Sequence, residues 1–289
     1  MRRILTLALA GAALAGCAVG PNYEKPKAAG TDTGAFAAAN PGVGQGAAPS
    51  QWWRLYNDPA LDRLVQDALT HNTDLQQAVA NLGQARGLLN QARAGYFPST
   101  AITAGDQYGR TAFNDAAAAA QGRRAANIWT YTAGLDVSYE VDLFGRVRRT
   151  VESAKANAEA AQAVRDTVAV TVAAETARAY ADACAYGEAL DVARRSLDVV
   201  QQAYDITVRQ RDAGGLSDFD VARQATLLAQ TRAEVPVAEG QRRSALFQLA
   251  VLTGQTPETL IAEADACRAP PRLNQPIPVG DGAAMLRRR

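Results

Sequence analysis

The clearest pattern in the chain runs from Trp129 to Leu143. Odd positions carry Trp129, Tyr131, Ala133, Leu135, Val137, Tyr139, Val141 and Leu143, whereas even positions carry Thr130, Thr132, Gly134, Asp136, Ser138, Glu140 and Asp142. A period of two predicts a β-strand with one apolar and one polar face. Its length suits a tilted membrane strand better than a globular one. Trp129 and Tyr139 are ten residues apart, about 33 Å along a strand, or about 25 Å along the normal of a bilayer crossed at a tilt near 40°. That spacing fits two aromatic girdles, and Trp129, Tyr131, Tyr139 and Phe144 are the candidate interface aromatics. The weaker run Ile102, Ala104, Tyr108 is the expected hairpin partner, with residues 112–126 as a small, polar outer loop.

On either side the period changes to that of helices. After the Asn57-Asp58-Pro59 turn, Leu61, Leu64, Val65, Ala68 and Leu69 predict a short helix ending near His71. Asn72 and Thr73, with Gln76 placed for a capping box, predict the start of a longer one that ends before Pro98. From about Arg148 to Asp212 apolar residues keep a near-heptad step through Val151, Ala158, Val172, Ala179, Tyr186 and Val200. This predicts a rod of about 95 Å that must lie along other helices. Ala213-Gly214-Gly215-Leu216-Ser217 breaks it, and a second long helix is expected from Asp218 to Leu252, folded back antiparallel about a glycine tip and open to a kink at Pro236.

The N-terminus adds an address. Arg2 and Arg3, an apolar run from Ile4 to Leu14 and the small residues before Cys17 predict a signal peptide. The run is about a dozen residues, short of the roughly 20 needed to span a bilayer. Leu14-Ala15-Gly16-Cys17 resembles a lipobox, so Cys17 is the candidate acylation site, and Ala18 resembles the residue of lipoproteins passed to the outer membrane. Residues 19–50, rich in Gly, Ala and Pro, read as a tether. Lys plus Arg number 30 against 29 Asp plus Glu, without blocks of either sign, which argues against a nucleic-acid partner. Cys184 and Cys267 have no metal-ligand spacing. Export permits a disulfide between them, while the helical context of Cys184 favours a buried structural thiol. Catalytic residues, a cofactor and a metal are not expected: the one His, His71, ends a short helix, and no nucleophile or phosphate-loop motif occurs. Asp136, Glu140 and Asp142 could mimic paired hydrolase carboxylates, but on a barrel strand they face luminal water.

Several strings resemble the TolC-like outer-membrane factors of tripartite efflux pumps, in their lipidated OprM or NodT-like branch. They are Cys17 to Tyr23, Trp52-Trp53 through Leu61, Gly134 to Gly145 and Leu246 to Gly254. The expected fold class is thus mainly α with a β-hairpin: long helical hairpins of a periplasmic tunnel, plus two strands of a trimeric outer-membrane β-barrel. The resemblance implies a homotrimer in outer-membrane lipid that passes drugs or other small molecules passively from the periplasm to the outside. Its implied partners are a periplasmic adaptor protein and an inner-membrane pump of the RND type. Arg211, Gly214, Gly215, Leu216 and Ser217 resemble the tip that meets the adaptor. The segments expected are a signal peptide (1–16), a lipid-anchored flexible tether (17–50), N-terminal helices (51–97), a transmembrane β-hairpin (98–145), a long periplasmic helical hairpin (146–254) and a linker with the start of a second repeat (255–289). The family carries two repeats and this chain one, and three copies of two strands make fewer than the eight of the smallest barrels. A truncated product is therefore expected, or else a separate polypeptide that supplies the rest; the alternatives to a channel component are a non-pore periplasmic coiled-coil lipoprotein scaffold or a non-functional truncated fragment.

Overall fold

The computed structural model describes residues 20–24, 43–44, 49–259, 262–273 and 276–278. The signal peptide, Cys17 and residues 279–289 lie outside the described residues. In chain order the elements are β1 (Val43–Gly44), a 3-10 turn (Trp52–Tyr56), α1 (Pro59–His71), α2 (Thr73–Ala94), β2 (Ser99–Gly109), α3 (Ala112–Ala119), β3 (Ile128–Ser138), α4 (Arg146–Asp212), α5 (Asp218–Leu252), α6 (Ala262–Ala266) and β4 (Ile277–Pro278). The chain divides into two units, one of residues 1–23 and 81–161, the other of residues 24–80 and 162–289.

The second unit is helical and holds the main core. Leu61, Leu64 and Val65 of α1 pack with Ala173, Ala177, Tyr180, Ala183 and Cys184 of α4, and with Ala245, Leu246 and Leu249 of α5. The abundance of alanine lets the helix axes approach closely, so small side chains fill the core. Asp58 starts α1: its carboxylate accepts from the Ala60 and Leu61 N–H groups, Pro59 occupies the first helical position, and the Tyr180 hydroxyl donates to its second oxygen at 3.0 Å. Trp53 Nε1 and Arg54 Nε both donate to Asp62 at 2.9 Å, which fixes the 3-10 turn on α1 and holds the Asp62 carboxyl below its ordinary pKa, chiefly through Arg54.

At the α1–α2 corner the cap is Asn72, not Thr73, so Gln76 does not fall at the capping-box position. Asn72 is buried; its Oδ1 accepts from Leu75 N–H at 3.0 Å, and its Nδ2 donates to Leu252 O at 3.1 Å, the last turn of α5. One side chain thus satisfies the start of one helix and the end of another. Gly254 follows with φ +70°, and a Cβ there would stand 2.5 Å from His71 O.

Cys184 and Cys267 form a disulfide, which corrects the expectation of a buried thiol. The segment after α5 returns to α4, held by Arg242 on Asp265 and by Arg268 on Asp191 at 3.2 Å. Gly187 permits the approach, because a Cβ there would lie 2.6 Å from Cys267 O. β1 and β4 make a two-residue parallel pair.

The first unit carries β2 and β3, paired antiparallel from Ser99–Ser138 to Gly109–Ile128. Between them lies α3, capped by the Thr111 hydroxyl, where a loop was expected. Its composition explains the difference, since residues 116–119 are all Ala, the strongest helix former. Among the described residues no helix is long and apolar enough to cross a membrane.

Candidate functional site

Opposed residues in an antiparallel pair point to one side. One face of the hairpin therefore carries the pairs Trp129–Tyr108, Tyr131–Asp106, Ala133–Ala104, Leu135–Ile102 and Val137–Thr100. The other carries Thr130–Gln107, Thr132–Gly105, Gly134–Thr103 and Asp136–Ala101. Among the described residues the apolar face is bare: Ile102 is 84% exposed, Leu135 68% and Val137 62%. Water does not tolerate a contiguous patch of that kind without cause. Its aromatics gather at the α3 end, where the Tyr108 and Trp129 rings are 5.1 Å apart and those of Trp129 and Tyr131 6.3 Å. The polar face is kept low by small residues; a Cβ on Gly134 would approach Thr103 Oγ1 to 2.8 Å, and Thr132 Oγ1 donates to Gly105 O at 3.2 Å. Among the described residues the sheet has two strands, so the outer edges of β2 and β3 pair with nothing here.

The strand is shorter than its alternation. β3 stops at Ser138, and Leu143 N–H bonds to Val141 O at 2.9 Å in a tight turn. Glu140 and Asp142 therefore do not line a strand face. Glu140 accepts from Nε and Nη2 of Arg146, which holds its carboxyl below the ordinary range. Asp142 accepts from Arg148 N–H at 2.9 Å, and this backbone bond at the positive end of α4 lowers its carboxyl too. Tyr139 and Phe144, read as interface aromatics, are exposed but lie beyond the end of β3, whereas Trp129 and Tyr131 are on it.

At the α4–α5 turn, Gly215 N–H bonds to Gln210 O and Gly214 N–H to Arg211 O, both at 2.8 Å, with Gly214 at φ +83°. These two bonds close the last carbonyls of α4. Ser217 and Asp220 form a reciprocal capping box that opens α5. Arg211 spans the turn, donating to Asp212 at 2.8 Å and Asp218 at 3.1 Å. Leu216 is 37% exposed and Phe219 74%, so a rigid backbone presents an apolar edge. Further along, Arg194 meets Glu239 at 2.6 Å and Arg232 meets Gln201 at 3.1 Å, tying the two arms together.

Residues 64–255 match the model of the outer membrane efflux protein (OEP) family. The chain belongs to this family. It is 31% identical over 212 residues to the pyoverdine export outer membrane protein OpmQ of Pseudomonas aeruginosa, covering 73% of this chain and 44% of OpmQ. It is 26% identical over 244 residues to the probable outer membrane lipoprotein SilC of Salmonella typhimurium, covering 83% of this chain and 51% of SilC. Among solved structures it resembles the outer-membrane channel OprN, with a TM-score of 0.76 and 32% identity over 94% of this chain and 60% of that one. The chain thus spans about half the length of the curated relatives it matches. The architecture is that of the OEP channels, mostly helical with a small antiparallel sheet, as expected from the sequence. The family is one of channel proteins rather than enzymes.

Within the OEP chain, the sequence-predicted residues fall at separate places. Arg211, Gly214, Gly215, Leu216 and Ser217 form the α4–α5 turn; Trp129 and Tyr131 sit on the hairpin; Cys17 lies outside the described residues. Sequence reasoning missed the capping work of Asp142, although an acidic residue just ahead of a helix start is its usual signal. It also missed Phe219, in the first turn of α5 and three residues after Leu216.

Proposed function

We propose that this chain contributes to the wall of an outer-membrane efflux channel, through which small molecules leave the periplasm passively. The observation that carries the proposal is the bare, two-faced hairpin. An apolar face turned to lipid and a small, polar face turned to water are what a barrel strand pair needs. Unpaired strand edges are not tolerated in hydrocarbon, so β2 and β3 must each meet a further strand; a homotrimer sharing one barrel supplies neighbours of that kind. Tyr108, Trp129 and Tyr131 mark the outer interface, with Tyr139 and Phe144 near the periplasmic one. The α4–α5 turn, with Arg211, Gly214, Gly215, Leu216 and Ser217, is the docking tip for a periplasmic adaptor and, through it, an inner-membrane pump. Membership of an efflux family favours this reading over a scaffold without a pore. No catalytic step is assigned: pump and adaptor select and deliver, and the channel conducts. Acylation at Cys17 adds a lipid anchor, a reading supported by the likeness to a lipoprotein.

Single cysteines test the two faces. In outer-membrane vesicles, Leu135→Cys should be shielded from a membrane-impermeant maleimide and Thr132→Cys should react with it. Equal labelling at both positions would sink the proposal.

A further inference from the structure

Arg149 lies in the first turns of α4, within the same unit as the start of the described chain. Its Nη2 donates to Gly20 O at 3.0 Å and to Asn22 Oδ1 at 2.9 Å, while Nη1 meets Glu152 at 2.7 Å. Two acceptors two residues apart converge on one nitrogen because Gly20 adopts φ +109°, a conformation side chains rarely allow, and Pro21 fixes the next φ near −65°. The planar fork is needed: it reaches both acceptors and the Glu152 carboxylate at once, which an ammonium on a flexible stem does poorly. The α4 start is itself held to the end of β3 by the Glu140–Arg146 pair and by Asp142. The main chain at Gly20 is thereby tied to the junction where strand becomes helix.

Cys17 precedes Gly20 by three residues, so covalent geometry alone keeps its Cα within about 11 Å of Gly20. We propose that Arg149 is an internal receptor for the start of the exported chain, a positioning residue that fixes the point where the acyl chains of Cys17 enter the bilayer. The inference rests on the channel reading and on acylation at Cys17. The consequence is an anchor delivered beside the strand bases rather than at the end of a free tether.

A spin label at Tyr23→Cys, an exposed position, tests it in the full chain in outer-membrane vesicles. The label should be slow in the parent, and its correlation time should shorten roughly threefold or more in Arg149→Ala, a change on the ps–ns scale that such labels read. Asn22→Ala, which touches no core residue, should free it similarly and add little to Arg149→Ala. Cys17→Ser should leave the label slow, since the clamp is made by residues 20 and 22. An unchanged spectrum in both Arg149→Ala and Asn22→Ala overturns the proposal, as does release of the label by Cys17→Ser alone. Failure of the parent to reach the outer membrane would count against the channel reading instead, and the same spectra in detergent would still report the clamp.

Discussion

The Cys184–Cys267 bond closes 83 residues of sequence. In the chain-entropy account a loop of that length lowers the entropy of the unfolded ensemble by roughly 15 cal/mol/K, or about 4.5 kcal/mol at 25 °C. Cys267→Ala removes the bond and leaves Cys184 as a buried thiol, which a tightly packed alanine core accommodates without a new unsatisfied polar group. The expected loss is therefore close to the whole entropic term. With a guanidinium m-value of roughly 5 kcal/mol/M, the unfolding midpoint should fall by about 0.9 M. The assay is far-UV circular dichroism of detergent-purified protein, which follows α4 and α5. Reductant should lower the parent's midpoint by the same amount and leave Cys267→Ala unchanged. If oxidised and reduced parent unfold within about 0.1 M of one another, the loop-closure reasoning fails.

Three further outcomes follow from the described contacts. Gly214→Ala should cost about 1 kcal/mol, the penalty for a left-handed residue in open space, whereas Gly254→Ala should cost clearly more because its Cβ also meets His71 O; paired denaturation curves rank them. Asn72→Ala should lose about 2 kcal/mol in the same assay, since it orphans Leu252 O and Leu75 N–H in a buried corner. Glu140, Asp142, Glu152 and Asp220 all have folded-state pKa values below their ordinary ones, so their stabilisation is present above about pH 4 and is lost as pH falls through the lower folded values. Midpoints should drop on acidification below that point, and less steeply in Asp142→Asn.

The long helices were legible because their signals are redundant. α5 runs from Asp218 to Leu252, as read, since Ser217 caps it and Gly254 ends it. α4 begins at Arg146, two residues before the expected start, because Gly145, at φ +79°, leaves the helical register free to begin at once. The disulfide was not legible. Cys267 follows a break in the periodic pattern, and which helix it would return to depends on contacts such as Arg268–Asp191 that have no counterpart in local spacing. The Asn72 cap was half legible: an Asx residue at the corner was visible, but its second bond, to Leu252, joins residues 180 apart.

The end of β3 teaches the more general point. Tyr139, Val141 and Leu143 continue the apolar alternation, and all three are exposed, yet none belongs to the strand. Periodicity records which side of the chain is apolar; it does not record whether the backbone still has a partner. β2 begins at Ser99, paired with Ser138, so past Ser138 the ladder has no opposing residue. The intervening carboxylates then find stronger bonds: Glu140 a bidentate arginine, Asp142 an N–H at a helix start. Once both are engaged, the chain turns at Val141–Leu143 and the next eligible structure is α4. The same two acids that look like a luminal face in sequence therefore act as a joint. It follows that Glu140→Gln with Asp142→Asn should disturb the setting of hairpin on helix while leaving the strand pairing from Ser99 to Gly109 intact, a separation that amide exchange measured across both segments can resolve.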